Sequence, residues 1–428
     1  MKKTERDFII RLIKREVVPA IGCTEPIAVA LCVSKAARLL GKEPEKIKVL
    51  LSANILKNAM GVGIPGTGMI GLPIAVALGA LAGNPDYQLE VLKDITSDDV
   101  ERGKQVIAEN RIDIQLKENI AEKLYIEVIM SAGPDETTAI ISGGHTCFVY
   151  EARNGNVLLD ERISAVAEES EEDGSLSLRK VYDFALTAPL DEIDFILDSA
   201  RLNKAAAEAS FKGDYGHSLG KSLRNDNERR VMGDSVFTRI LSYTSGACDA
   251  RMAGAMIPVM SNSGSGNQGI AATLPVVVYA EENQKSREEM IRALVLSHLT
   301  VIYIKQSLGR LSALCGCVVA ATGSSCGITY LMGGGYEEMT YAVKNMVANL
   351  TGMICDGAKP SCAMKLTSGV STAVFSAMLA MEHKCVTAVE GIIENDVDRT
   401  IHNLTRIGAQ GMNETDRLVL DIMTHKCP

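Results

Sequence analysis

Two neighbouring stretches, Leu124-Tyr-Ile-Glu-Val-Ile129 and Thr137-Thr-Ala-Ile-Ile-Ser142, decide the fold. Apolar and polar residues alternate along both, the period of a strand with one buried face. The same alternation recurs in Ile112-Asp-Ile-Gln-Leu116, Thr146-Cys-Phe-Val-Tyr150 and Val157-Leu-Leu159, with Asn154-Gly155 as a hairpin signal. A further strand reads from Ile47 to Ser52. Together these predict an antiparallel or mixed sheet, with helices at 70–83 and 97–109 on one face. Upstream, Phe8, Ile9, Leu12, Ile13 and Val17 fall at helical spacing, and a second helix reads from Pro26 to Leu40. Downstream the strands stop, and from about residue 230 onward every pattern is helix or loop. The expected fold is therefore α+β, a mostly helical domain built from the N-terminal helices and the C-terminal half, with an inserted α/β domain. The expected bounds are 1–44 for N-terminal helices packing with the helical domain, 45–190 for the α/β domain and 191–428 for the all-helical domain.

At 428 residues the chain can bury large cores. Its net charge of -9 and lack of any Lys/Arg-rich run argue against nucleic acid as a partner. The apolar run from Ile70 to Ala82 is too short to span a bilayer and lacks basic anchors. Met1-Lys-Lys-Thr-Glu-Arg6 leads into an amphipathic helix rather than a signal sequence, so a cytoplasmic protein with no membrane partner is expected. Eleven cysteines, an odd number, argue for reduced and partly functional thiols rather than a disulfide scaffold.

Several turns carry residues suited to chemistry. In Pro19-Ala-Ile-Gly-Cys-Thr-Glu-Pro26, Cys23 falls beside a helix N-terminus, whose dipole favours thiolate. The glycine-rich Gly61–Gly71 turn offers backbone N–H groups to an anion, with a plain tight turn as the competing reading. His145, in Gly143-Gly-His-Thr146, is a candidate acid or base, although a lone turn histidine is more often structural. Asp249 and Arg251 form a charged pair among small residues, either a structural ion pair or a holder of a carboxylate substrate. Ser261-Asn-Ser-Gly-Ser-Gly-Asn-Gln-Gly269 combines close backbone approach with neutral hydrogen-bonding groups, which favours ligand binding. His298 and Lys305 read as core or rim residues, Glu168–Asp173 as a solvated acidic loop, and Cys385 and Cys427 as incidental.

Gly352-Met-Ile-Cys-Asp-Gly-Ala-Lys-Pro-Ser-Cys362 puts two thiols on a short loop between helices, suited to a soft metal or to plain burial. With Cys315 or Cys317 they would make a three-thiolate site. The Cys355–Cys362 gap is wider than structural zinc pairs usually show, and the common ferredoxin run is absent. A four-iron cluster with three protein ligands and one open iron stays compatible with the spacing.

The motifs just quoted, with Gly63-Ile-Pro-Gly-Thr-Gly68, Leu311-Ser-Ala-Leu-Cys315 and Ser361-Cys-Ala-Met-Lys365, resemble the L-cysteine desulfidase family. That family is related to the iron–sulfur L-serine dehydratases of the α-chain type, and the motifs follow its order along essentially the whole chain. The resemblance implies that Cys315, Cys355 and Cys362 hold a [4Fe-4S] cluster in the helical domain. It implies that Cys23 is the active-site cysteine, as base or as fourth ligand, with His145 the next candidate base. The implied reaction turns L-cysteine into pyruvate, ammonia and sulfide without pyridoxal phosphate. By residue type, Asn54, Lys57, Asn58, Arg251, Ser261, Asn262, Ser263, Ser265, Asn267 and Gln268 are expected to hold a small amino-acid substrate. L-serine dehydration is the nearest alternative, and a non-enzymatic metal or redox-sensing protein is the alternative of another class. The small-residue helices also allow a homodimer.

Overall fold

The computed structural model describes residues 1–118, 120, 122–162, 176–225, 230–309 and 311–426. The Glu168–Asp173 run and Cys427 lie outside the described residues. The fold is α+β, as expected. Six strands, β2 (Lys46–Leu51), β3 (Ile112–Leu116), β4 (Tyr125–Ala132), β5 (Asp135–Ser142), β6 (Phe148–Arg153) and β7 (Asn156–Asp160), form one sheet in the order β3-β2-β4-β5-β6-β7. Only β2 and β3 run parallel, so the sheet is mixed. Its buried face carries Val49, Ile126, Val128, Ala139 and Ile141, the residues that the alternation picks out.

The helix directly on this face is Thr24–Leu40, whose Cys32 thiol donates to the Ala139 carbonyl at 3.3 Å. That corrects the expectation that residues 1–44 pack together with the helical domain. Lys3–Glu16 does so, through Ile9, Leu12 and Ile13, each worth roughly 1.5–3 kcal/mol when fully buried. Thr24–Leu40 is apolar around almost its whole circumference, so its pattern does not say which core receives it. The helix Leu178–Thr187 likewise packs into the helical core through Leu178, Val181 and Phe184, although it precedes residue 190.

The helical core surrounds Gly316–Leu331, a helix of small residues. A Cβ on Gly323 would stand 2.4 Å from the Ser297 carbonyl oxygen, so the neighbouring helix Arg287–Leu308 packs backbone against backbone there. Among the described helices, Cys362–Met381 is long and apolar enough to cross a bilayer, and half of that stretch is packed inside the fold.

A two-stranded ribbon ties the layers together. β1 (Pro19–Ile21) pairs antiparallel with β8 (Pro258–Met260), and Ser261 N–H donates to the Val18 carbonyl at 2.8 Å. This ribbon carries Cys23 from the start of the chain to the Ser261–Gly269 loop.

Candidate active site

Four helices point their N-terminal ends at one small cavity. Cys23 is the N-cap of Thr24–Leu40, Ser265 of Gly266–Glu282 and Cys315 of Gly316–Leu331, while Cys362 is the first residue of Cys362–Met381. All four line a space of about 90 Å³, together with Cys355 and Cys317. Each helix start leaves backbone N–H groups without intrahelical partners and concentrates positive potential, so the cavity suits anions and thiolates.

Short backbone pairings bring the thiols together. Leu314 and Ile354 form an antiparallel bridge, with Cys315 N–H donating to Met353 at 2.9 Å and Cys355 N–H to Ala313 at 2.6 Å. Between Cys355 and Cys362 the loop is fastened by Asp356, whose carboxylate meets Lys359 at 2.6 Å and also Lys365. Burial opposes the charge on Asp356, but the two lysines hold its carboxyl down at about 2. Burial, with Cys355 next in importance, pushes the Cys315 thiol up to about 12. Burial also raises Cys362. Such thiols keep their protons until a metal cation displaces them. Among the described residues no three His, Cys, Asp or Glu side chains converge as they would on a single metal ion.

The opposite wall is polar. Arg251 Nη1 donates to Asn267 Oδ1 at 3.0 Å, and a Cβ on Gly266 would stand only 2.2 Å from Arg251 Nε. Glycine at 266 therefore makes room for the guanidinium. Among the described residues, Arg251 Nε, Gln268 Oε1 and Asn58 Oδ1 are buried with no hydrogen-bond partner. All three side chains line the cavity. Unpaired buried polar atoms are costly and rare, and here one donor and two acceptors share one space.

Beside them, Glu25 Oε2 accepts from Cys23 Sγ at 3.0 Å and from Thr24 Oγ1 at 2.9 Å, while Glu25 Oε1 accepts from Asn58 Nδ2 at 3.1 Å. Burial works against the charged form of Glu25. Attraction to His145 and the bonds from Cys23 and Thr24 outweigh it and hold the carboxyl below its usual range. Burial, and then Glu25 itself, push Cys23 well above the usual thiol range. The helix-end position of Cys23 is as expected, while burial and the neighbouring Glu25 carboxylate oppose the thiolate form expected there.

Of the expected site residues, Cys23, Asn58, Arg251, Ser265, Asn267, Gln268, Cys315, Cys355 and Cys362 meet at the cavity. His145 is buried behind Glu25 rather than on the wall. Asn54 and Lys57 turn away to Asp416. Ser261 Oγ donates to the Val18 carbonyl at 2.6 Å, Asn262 Nδ2 meets His298 Nδ1 at 3.0 Å and Ser263 Oγ donates to Asn262 at 2.8 Å. These three shape the loop instead of facing a ligand, because a reversing backbone needs its own polar partners. Glu25 gave no signal in the sequence beyond its place beside Cys23 at the start of a helix. Lys365, also on the wall, gave no signal beyond its place in a motif.

Asp249, next to this wall, accepts from Gly220 N–H at 2.9 Å, and burial lifts its carboxyl to about 6. A raised carboxyl gives stability that is complete below the unfolded value near 4 and lost as pH rises through about 6. The Asp249 contribution should therefore fall between about pH 4 and pH 6, so Asp249→Asn should gain in urea midpoint relative to the wild type as pH rises through that window. Parallel wild-type and variant curves would remove Asp249 as the cause.

The family profile of the serine dehydratase alpha chain matches residues 86–421. The span takes in Arg251, Gln268 and the three cluster-candidate cysteines, and begins after Cys23, Glu25 and Asn58. A UPF0597 protein of Bacteroides fragilis is 76% identical over 426 residues, covering 100% of both chains. One of Bacteroides thetaiotaomicron is 75% identical, over 100% of this chain and 99% of its own. One of Porphyromonas gingivalis is 58% identical over 100% of both. A match over most of its length places this chain in the serine dehydratase alpha chain family, whose members are lyase-like enzymes of the dehydratase kind.

Proposed function

We propose that the protein is an iron–sulfur-dependent, pyridoxal-phosphate-independent lyase that converts L-cysteine to pyruvate, ammonia and sulfide. The observation that carries this reading is the cavity itself. Thiols from two loops stand on one wall, and unpaired amide and guanidinium groups stand beside a thiol–carboxylate pair on the other. Soft thiolates select iron–sulfur groups, and Cys315, Cys355 and Cys362 line the same cavity. They would hold such a group, and Lys365 and the helix N-termini would offset its negative charge.

When bound, a [4Fe-4S] cluster with one open iron supplies a Lewis acid toward the leaving group. The chain's own groups do the rest. Arg251 takes the substrate carboxylate, and its free Nε gains a partner. Asn58 Oδ1 and Gln268 Oε1 accept from the ammonium, which satisfies both orphaned oxygens. The Cys23–Glu25 pair takes the α-proton, with Asn58, Thr24 and His145 holding the carboxylate charged before the proton arrives. The Cα–H and Cβ–S bonds break, sulfide departs, and the resulting aminoacrylate hydrolyses to pyruvate and ammonia.

The family match favours a second reading, in which the same groups eliminate water from L-serine. Anaerobic reconstitution should give a brown protein absorbing at about 400 nm. Sulfide and pyruvate should form faster from L-cysteine than pyruvate from L-serine. Faster turnover of serine would assign the dehydratase reaction, and a colourless protein inactive on both would overturn the lyase reading.

A further inference from the structure

Asn54 and Lys57 were expected at the substrate, and the structure gives them a different partner. Lys57 is only 1% exposed, and its ammonium meets the carboxylate of Asp416 and donates to the Cys355 carbonyl at 3.3 Å. Asn54 Nδ2 donates to the other Asp416 oxygen. Asp416 belongs to the last described helix, Asn413–His425.

That helix also lies close to the loop. Gly357 has φ +90°, and a Cβ there would stand 2.4 Å from the Lys57 carbonyl oxygen and 3.5 Å from Met423 Cε. The loop after Cys355 is therefore held between the helix Ala53–Ala59 and Asn413–His425. The π-helical turn Ile407–Gly411, which leads into that last helix, bears on the other cysteine loop. A Cβ on Gly408 would come within 3.0 Å of Leu314 Cβ, one residue before Cys315. One C-terminal segment thus touches both halves of the paired backbone that carries Cys315 and Cys355.

We propose that Lys57 and Asp416 are positioning residues that fasten the Cys355 loop to the C-terminal helix and so keep Cys355 in register with Cys315 and Cys362. A buried ammonium needs a fixed counter-charge. Lys57 receives one from the C-terminal helix and uses a remaining N–H on the backbone of Cys355. The register of that loop then depends on a helix that contributes no side chain to the cavity wall. The importance of this register to catalysis rests on the reading of Cys355 as a cluster ligand; the fastening itself does not.

The test is alkylation of the cluster-free, full-length protein by iodoacetamide, followed cysteine by cysteine in peptide mass spectra. In Lys57→Met the Cys355 rate should rise about tenfold, as local opening of one loop allows, while Cys385 keeps its wild-type rate. Lys57→Met/Asp416→Leu removes both charges and keeps the site filled, so it serves if the single variant unfolds; it should show the same selective rise. In the reconstituted variants, bleaching of the visible absorbance by a chelator should quicken in parallel. Unchanged Cys355 labelling in a folded variant overturns the proposal, and so does an equal rise at Cys385. Selective exposure of Cys355 in a protein that binds no iron would uphold the fastening and overturn the cluster reading instead.

Discussion

Cys355→Ala should fold like the wild type, yet reconstitute with little iron and lose β-elimination by at least about 100-fold. Loss of an outer partner of a metal ligand already costs roughly 10–100-fold in affinity or activity, so removal of a ligand should cost no less. The stability cost is small by comparison. Cys355 is half-buried, and its backbone bond to Ala313 at 2.6 Å does not involve the side chain. Truncation there should cost about 1 kcal/mol, a typical value for a single substitution. Iron and sulfide content, visible absorbance and the thermal midpoint together separate loss of the group from loss of the fold. Cys385→Ala, on a half-buried cysteine outside the cavity, is the control and should keep both. Full iron content and full activity in Cys355→Ala would remove Cys355 from the ligand set. Cys317→Ala completes the comparison. The Cys317 thiol lies on the same wall but donates to the Lys365 carbonyl at 3.2 Å, and a Cβ on Gly369 would stand 2.3 Å from its sulfur. It is committed to packing between two helices, so its loss should lower stability more than iron content.

Strands were legible where one face is buried and the other is not. β4 alternates between buried and partly buried positions along its whole length, and that alternation is visible in the residue types. The thiols were legible for a related reason: turn residues around Cys355 and Cys362 mark a loop, and soft side chains on a short loop have few other uses. What the sequence hid are pairings across long separations. Nothing in Lys57 indicates that its counter-charge lies 359 residues away at Asp416. Nothing in Thr24–Leu40 says which core it joins, since a helix that is apolar around almost its whole circumference gives little period to read. The Ser261–Gly269 loop shows a subtler limit. Its composition marked it as a ligand-facing turn, but composition cannot say which hydroxyls and amides face the cavity and which serve the loop. Ser265, Asn267 and Gln268 reach the cavity, while Ser261, Asn262 and Ser263 brace the backbone behind it.

Glu25→Gln is the substitution that tests where the substrate proton goes. The amide has nearly the shape of the carboxylate and can keep its bonds with Thr24 and Asn58, so folding and iron content should hold. It cannot remain a charged acceptor for the Cys23 thiol. If the pair acts as the base, kcat for pyruvate formation should fall about 10²–10⁴-fold, the usual contribution of a positioned base. KM should change little, because Arg251, Gln268 and the second oxygen contact through Asn58 stay in place. The pH dependence adds an independent reading. In the wild type, the attraction of His145 and the bonds from Cys23 and Thr24 keep the Glu25 carboxyl low, so its protonation should not limit activity near neutral pH. In Glu25→Gln the proton acceptor left on the cavity wall at that corner is Cys23, with His145 behind it. Loss of the neighbouring charge lowers the Cys23 pKa, but burial still holds it above the usual thiol range. The residual activity of the variant should therefore climb with pH across the alkaline range where the wild type is flat. α-Deuterated L-cysteine should show a larger isotope effect in the variant, since a weaker base makes proton removal the slow step. A Glu25→Gln enzyme within a few-fold of wild-type kcat, beside an inactive Cys23→Ser, would leave Cys23 as the sole base and reduce Glu25 to a cap on the helix that carries it.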